Sequence, residues 1–411
     1  MKEQKVIIVG GGAAGFFAAI RCKQLNPNLD VHILERGKQV LQKVKVSGGG
    51  RCNVTHACYI PKDLVKFYPR GQKELLGPFH RFCSGDMLNW LDQQGVETKV
   101  EDDGRIFPAS NSSQTIIDCF WKNVKQLGIQ VHTGQQVAAI RAPSGEQAQY
   151  QVITAAGKKW LADKLLMATG SNPRIWKLLG GLGHAIIEPV PSLFTFNIKD
   201  SRIQNLAGLS VPNAKIQVVG RKKLVAQGPL LITHWGMSGP GILRLSAWGA
   251  RTLNEANYEF KVLVNWNASL TFDKAQAELR NFKQLNPKQQ IAKHRKFDLP
   301  NRLWQSLVAA CNIPDNLIWA EMNKKQLNAL AIQLTQATFE VKGKSTFKEE
   351  FVTAGGVKLK EIDFTRFESK LHPNLFMAGE VLNIDAITGG FNFQAAWTGA
   401  YLAAEAIASE K

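Results

Sequence analysis

The residues best equipped for chemistry stand near the start of the chain. Gly10, Gly12 and Gly15 keep G-x-G-x-x-G spacing directly after the apolar run Val6-Ile-Ile-Val9, with Ala13 and Ala14 between the last two glycines. In that pattern the first glycine permits a tight turn, the second lets backbone approach a pyrophosphate, and the third lets a helix lie close to its strand. The helix that follows offers unpaired N–H groups and a partial positive charge to phosphate oxygens. Glu35, followed by Arg36, ends the next apolar run about 20 residues later, where an acid accepts hydrogen bonds from an adenosine ribose. Together these residues bind a dinucleotide; alone they do not separate FAD from NAD.

Later segments favour FAD. Leu165-Leu-Met-Ala168 runs into Thr169-Gly170, a turn suited to pass close to a bound dinucleotide. Leu375-Phe-Met-Ala378 runs into Gly379-Glu380, and Thr388-Gly-Gly-Phe-Asn-Phe-Gln394 opens a final helix. The N-terminus of that helix can stabilise negative charge that builds on a reduced flavin ring. Between these lies Ser47-Gly-Gly-Gly50, followed by Arg51, Cys52 and Asn53: successive amides for an anion, and a guanidinium to neutralise phosphate. His234, beside Gly236 and Ser238-Gly-Pro240, is the candidate acid–base group or substrate ligand. Cys52 has no partner at C-x-x-C spacing. No second G-x-G-x-x-G follows a strand, so NAD(P)H is expected only as a transient partner, with oxygen as an alternative electron acceptor.

These residues need a Rossmann-type frame. The sequence predicts a strand at 6–9, a helix to about 25, a strand at 31–34, helices at 88–94 and 114–127, and strands at 130–132 and 137–140. A hairpin around Ala156-Gly157 and a buried strand at 165–168 complete the first part, residues 1–190. From 191 to 350 composition shifts to short β-like runs (194–198, 214–219, 260–264) and a Lys/Gln/Asn-rich helical stretch at about 272–335. Residues 351–411 return to the first domain with strands at 352–357 and 375–378 and a helix at 394–408.

Composition narrows the class. Hydrophobic residues make up 45% and charged residues 20%, and no uninterrupted apolar run is long enough for a transmembrane helix, so a cytoplasmic location is expected. The 6 cysteines lack metal-ligand spacing, and no metal is expected. The net charge of +18 exceeds what one pyrophosphate explains and could attract an acidic substrate, a nucleic acid or an anionic surface. The densest basic stretch, Lys283 to Arg302, lacks the regularly interleaved aromatics of a base-stacking platform.

The chain resembles the BaiN/YhiN-like, aminoacetone-oxidase-like flavoproteins. The resemblance rests on Lys43-x-x-x-Ser47-Gly-Gly-Gly-Arg-Cys-Asn-Val-Thr55, Gly104-Arg-Ile-Phe-Pro108 and Thr233-His-Trp-Gly-Met-Ser-Gly-Pro240. It continues through Phe351-Val-Thr-Ala-Gly-Gly-Val357, Glu368-Ser-Lys370, Ala378-Gly-Glu-Val381 and Thr388-Gly-Gly-Phe-Asn-Phe-Gln394. It implies an α/β fold: a two-dinucleotide-binding, glutathione-reductase-like FAD domain interrupted by a β-barrel and a helical insert. It implies an FAD-dependent oxidoreductase in which hydride passes through flavin N5 to or from a small molecule. RNA modification, or flavin binding without independent turnover, is the alternative. By position, Lys43 and Ser47 to Asn53 (Ser47, Gly48, Gly49, Arg51, Cys52, Asn53) would meet the cofactor. So would Gly379, Glu380, Gly389, Gly390, Phe391 and Asn392, and Val137 would lie against the adenine. Three departures bear on the substrate: Ser171-Asn-Pro-Arg174 in place of a longer glycine loop, Asn383 in place of Asp, and Phe391 in place of Tyr.

Overall fold

The run Val6-Ile-Ile-Val9 is apolar without alternation because its strand, Lys5–Val9, is interior to a sheet covered on both faces. The computed structural model describes residues 4–145, 147–345 and 352–409; Lys2 and Phe351 lie outside the described residues. The sheet has 7 strands, and five of them run parallel in the order Leu375–Met377, Lys164–Met167, Lys5–Val9, Asp30–Leu34, Gln130–His132. An antiparallel edge, Glu368–Ser369 then Ile362–Asp363, extends it beyond Leu375–Met377. The Rossmann-type order places the C-terminal ends of the central strands, where the glycine turn and Glu35 lie, along one edge.

Helices Ala13–Leu25 and Phe391–Ala408 pack on each other. Phe16, Phe17, Trp397 and Ala400 are buried at this layer, so the two ends of the chain share one core. The predicted hairpin forms as Tyr150–Thr154 and Lys159–Ala162, joined by Val137–Arg141 in a three-stranded antiparallel sheet. The predicted helices are Ser84–Gln93 and Ser113–Gln126. The second begins at Ser112, whose hydroxyl accepts from the Gln114 N–H at 3.3 Å, a cap that satisfies an otherwise orphan donor.

The described residues form two compact units, one within Met1–Val190 plus Val352–Lys411 and the other within Pro191–Phe351. In the second unit Ser210–Val218 and Val225–Thr233 form a long hairpin. Ala337–Lys342 pairs with Glu259–Asn265 at one end of this sheet, while Lys344–Ser345 pairs with Thr195–Asn197 at the other. These two short strands are one run bent at Gly343, so the ladder closes on itself as a barrel and no long edge is left to solvent. Phe196, Ile216, Ile232, Val262 and Phe339 fill its interior. Helices Phe272–Leu285, Asn301–Ala309 and Lys324–Thr335 bury Leu279, Trp304, Leu307 and Leu330 in the same core.

One helix in this unit departs from the sequence expectation of short β-like runs. Pro240–Glu255 begins with Pro at its first turn after Gly239. A Gly-Pro pair reads as a turn, yet Pro at the first helical position is a favoured start.

Candidate functional site

The glycine turn is built by close approach. Gly10 has φ +114°, and a Cβ there would lie 2.3 Å from the Ala168 carbonyl oxygen, so the Ala168-Thr169-Gly170 turn rests directly on it. A Cβ on Gly15 would lie 2.0 Å from the Gly10 carbonyl oxygen, which is how the helix reaches back to the turn. Gly12 is different: a Cβ there would meet nothing within 4 Å. The packing needs Gly10 and Gly15, and it leaves open space above Gly12.

Glu35 is held from two sides. Its carboxylate accepts from the Gly11 N–H at 2.8 Å and the Gly37 N–H at 2.7 Å. Each oxygen keeps a lone pair, the form in which a carboxylate can take ribose hydroxyls. A cleft lined by Gly10, Glu35, Arg36, Val137, Thr169 and Arg174 opens beside it. Sequence-predicted residues from four separate segments therefore meet at one place, joined by Asn172 and Gln135 from the surrounding turns.

The cofactor-facing segments continue from there in one chain of contacts. A Cβ on Gly379 would lie 3.7 Å from those of Ala14 and Ala396, which puts the Gly379-Glu380 turn against the first turn of helix Ala13–Leu25. Lys43 Nζ pairs with Glu380 Oε2 at 2.7 Å. The segment Gln42–Gly50 starts as a helix and leaves helical geometry at Ser47, Gly48 and Gly49, which frees the successive amides of that loop. Asn53 is buried and, with its carboxamide turned to satisfy its neighbours, accepts from the Gly390 N–H at 3.0 Å and donates to the Thr55 carbonyl at 3.0 Å. This ties the loop to the start of the last helix. Asn392 accepts from the Ala386 N–H at 2.9 Å and donates to the Ala386 carbonyl at 3.2 Å, holding the Gly389-Gly390 turn in shape.

Some candidates take a different part from the one their residue type suggests. Arg51 pairs with Glu101 at 2.6 Å, and its guanidinium lies 3.9 Å from the centre of the Phe107 ring, so its charge is already partnered. Cys52 is buried, and desolvation pushes its thiol up to about 12 against the Ser47 hydrogen bond, so no thiolate nucleophile is available at neutral pH. His234 lies in the second unit, exposed between strands Val225–Thr233 and Gly236–Ser238, with its ring 6.2 Å from that of Trp235.

Two features were missed by sequence reasoning. His56 stacks on Phe391 with centroids 4.5 Å apart, and its Nε2 lies 3.2 Å from the Asp103 carbonyl oxygen. Burial lowers its pKa below the ordinary value despite that carbonyl, so the ring is neutral at pH 7. Asp385 is fully buried and pairs with Arg70, a brace beneath the segment leading to Gly389. Neither has a local sequence signature, because each pairing spans most of the chain.

A Rossmann frame with this cleft defines a dinucleotide-binding protein. The chain belongs to the HI0933-like protein Rossmann domain family, whose pattern it matches over residues 4–406. It is similar to a 3-dehydro-bile acid delta(4,6)-reductase of Clostridium scindens, 26% identical over 98% of this chain and 99% of that one. It is likewise similar to a ribosomal RNA dihydrouridine synthase of Haemophilus influenzae, 27% identical over 98% of each chain. In fold it is similar to a 3-ketosteroid-delta4-(5alpha)-dehydrogenase of Rhodococcus jostii RHA1, with TM-score 0.52 and 14% identity over 99% of this chain and 97% of that one. The chain is an FAD-dependent oxidoreductase. Among the described residues no helix is long and apolar enough to cross a membrane.

Proposed function

We propose that the enzyme uses FAD to reduce a C=C bond conjugated to a carbonyl group in a small molecule, with NAD(P)H as the transient hydride source. The observation that supports the FAD part of this reading is the Glu35 cleft joined to the Gly379–Gly390 segment through one set of contacts in the first unit. The names of the two relatives described above support this reaction class, since a delta(4,6)-reductase of a 3-dehydro-bile acid and a dihydrouridine synthase each add hydrogen across a carbonyl-conjugated C=C bond. In balance, one hydride reaches the β-carbon, one proton reaches the α-carbon, and NAD(P)H leaves as NAD(P)+.

Bound FAD supplies hydride transfer at N5. The chain's own residues hold and orient. Glu35 takes the adenosine ribose hydroxyls, Val137 and Arg36 border the adenine side, and the amides at Gly11 to Ala14 face the pyrophosphate. Lys43 and Glu380 fix the turn beside the ribityl chain, while Ser47 to Asn53 and Gly389 to Asn392 border the flavin, with Phe391 braced by His56. The N-terminus of the last helix favours negative charge on the adjacent part of the ring.

A second reading places the C=C bond in a uracil of RNA. The net charge of +18 favours it, since a polyanionic substrate makes use of charge that a neutral steroid-like molecule does not. The test is anaerobic turnover of FAD-loaded protein with NADH or NADPH against conjugated enones and against uridine-containing RNA. Saturation of either C=C bond supports the reaction class, and oxidation of amines with no C=C reduction by any donor sinks it.

A further inference from the structure

The long hairpin of the second unit turns through Arg221, Lys222 and Lys223, all exposed. Leu224 beside them packs on helix Pro240–Glu255: a Cβ on Gly249 would lie 3.3 Å from Leu224 Cδ1. Farther along the strand, Arg244 Nη1 donates to the Gln227 carbonyl at 3.4 Å. Turn and strand therefore run beside the helix. Next to Gly249, Trp248 follows Arg244 by one helical turn and is 43% exposed, and Arg251 follows again. The helix holds a single acidic residue, Glu255, at its far end.

We propose that this surface docks single-stranded RNA, with a base stacked on Trp248 and phosphates on Arg221, Lys222, Lys223 and Arg244. The proposal rests on the RNA reading of the substrate and adds the place where the strand is held. A large aromatic left in water between cations is the arrangement that binds a flexible polyanion carrying flat bases. Paired bases hide their faces, so a duplex would gain only the charge contacts. The Lys283 to Arg302 stretch, though richer in charge, has its partly buried aromatics Phe282 and Phe297 packed against the second core and offers no comparable platform. The two parts of the surface are separated in sequence and meet only because the hairpin lies along the helix.

The test uses the FAD-loaded full chain and a fluorescein-labelled single-stranded RNA of mixed sequence, titrated at several salt concentrations. Trp248→Ala is expected to weaken binding at least about fivefold, and Trp248→Phe to retain most of it. Combining Arg221→Ala, Lys222→Ala and Lys223→Ala is expected to make the log–log salt slope shallower by about 2, at about 0.7 per lost phosphate contact. Flavin content and melting temperature should stay at wild-type values, since these side chains are exposed. Variants that bind RNA as wild type does would overturn this surface and leave the RNA reading standing. A wild-type chain that binds no RNA at low salt would overturn both. Binding to phosphatidylglycerol/phosphatidylcholine vesicles in place of RNA, lost in the same variants, would also overturn the proposal.

Discussion

Replacing Glu35 by Gln tests the adenosine end of the site with almost no change of shape. In the native chain one carboxylate oxygen accepts from the Gly11 N–H at 2.8 Å and the other from the Gly37 N–H at 2.7 Å. A carboxamide can accept at only one of these positions, and its NH2 must face the other N–H. The loss divides into two parts that separate experimentally. The orphaned N–H loosens the turn whether or not FAD is bound, and the missing charged acceptor weakens only the hold on the ribose. Hydrogen bonds to a charged group contribute about 1.5–3 kcal/mol, so FAD affinity should fall roughly 10- to 150-fold. Titrating apoprotein with FAD by flavin fluorescence measures the second part, and the melting temperature of the same apoprotein measures the first. Glu35→Gln apoprotein that binds FAD within twofold of wild type would refute the role given to this carboxylate.

Four further perturbations follow from the structure. Gly15→Ala forces a Cβ to within 2.0 Å of a carbonyl oxygen and should cost about 1–3 kcal/mol or more in denaturant unfolding. Gly12→Ala has open space and an ordinary φ of −93°, so it should unfold like wild type yet bind FAD about tenfold or more weakly. Asp385→Asn leaves Arg70 facing a neutral amide in a buried pocket and should lower stability by about 3–5 kcal/mol, read by chemical denaturation. His184, buried between Glu361 and Ser369, is held below its ordinary value of 6.5 by burial, which outweighs the Glu361 hydrogen bond. The folded chain therefore binds fewer protons than the unfolded one. Stability should be full above about pH 6.5 and decline as pH falls through the depressed value; His184→Gln should flatten that part of the melting-temperature profile.

The sequence was most legible where local pattern and chemistry coincide. Gly10, Gly12, Gly15 and Glu35 are short-range signals, and the structure brings Gly10 and Glu35 to one cleft because a strand, a tight turn and a helix leave the chain little choice. The barrel was harder to read. Val225–Thr233 contains Gly228 and Pro229, which look like a turn, yet the strand continues through them as half of a hairpin. Helix Pro240–Glu255 was hidden by its Gly-Pro start. The braces of the site were invisible for another reason. Asn53 meets Gly390, Arg70 meets Asp385 and His56 meets Phe391, and no spacing rule covers partners that tertiary folding alone brings together.

The central claim is that this chain holds FAD and passes hydride through it. The most direct measurement is to purify the protein, identify the cofactor released on denaturation, and follow flavin absorbance during anaerobic addition of NADH, NADPH and candidate substrates. FAD bound at about one per chain, bleached by a reduced nicotinamide and restored by a carbonyl-conjugated C=C compound, is the expected result. A chain that carries no flavin and takes up none when FAD is added would contradict the account.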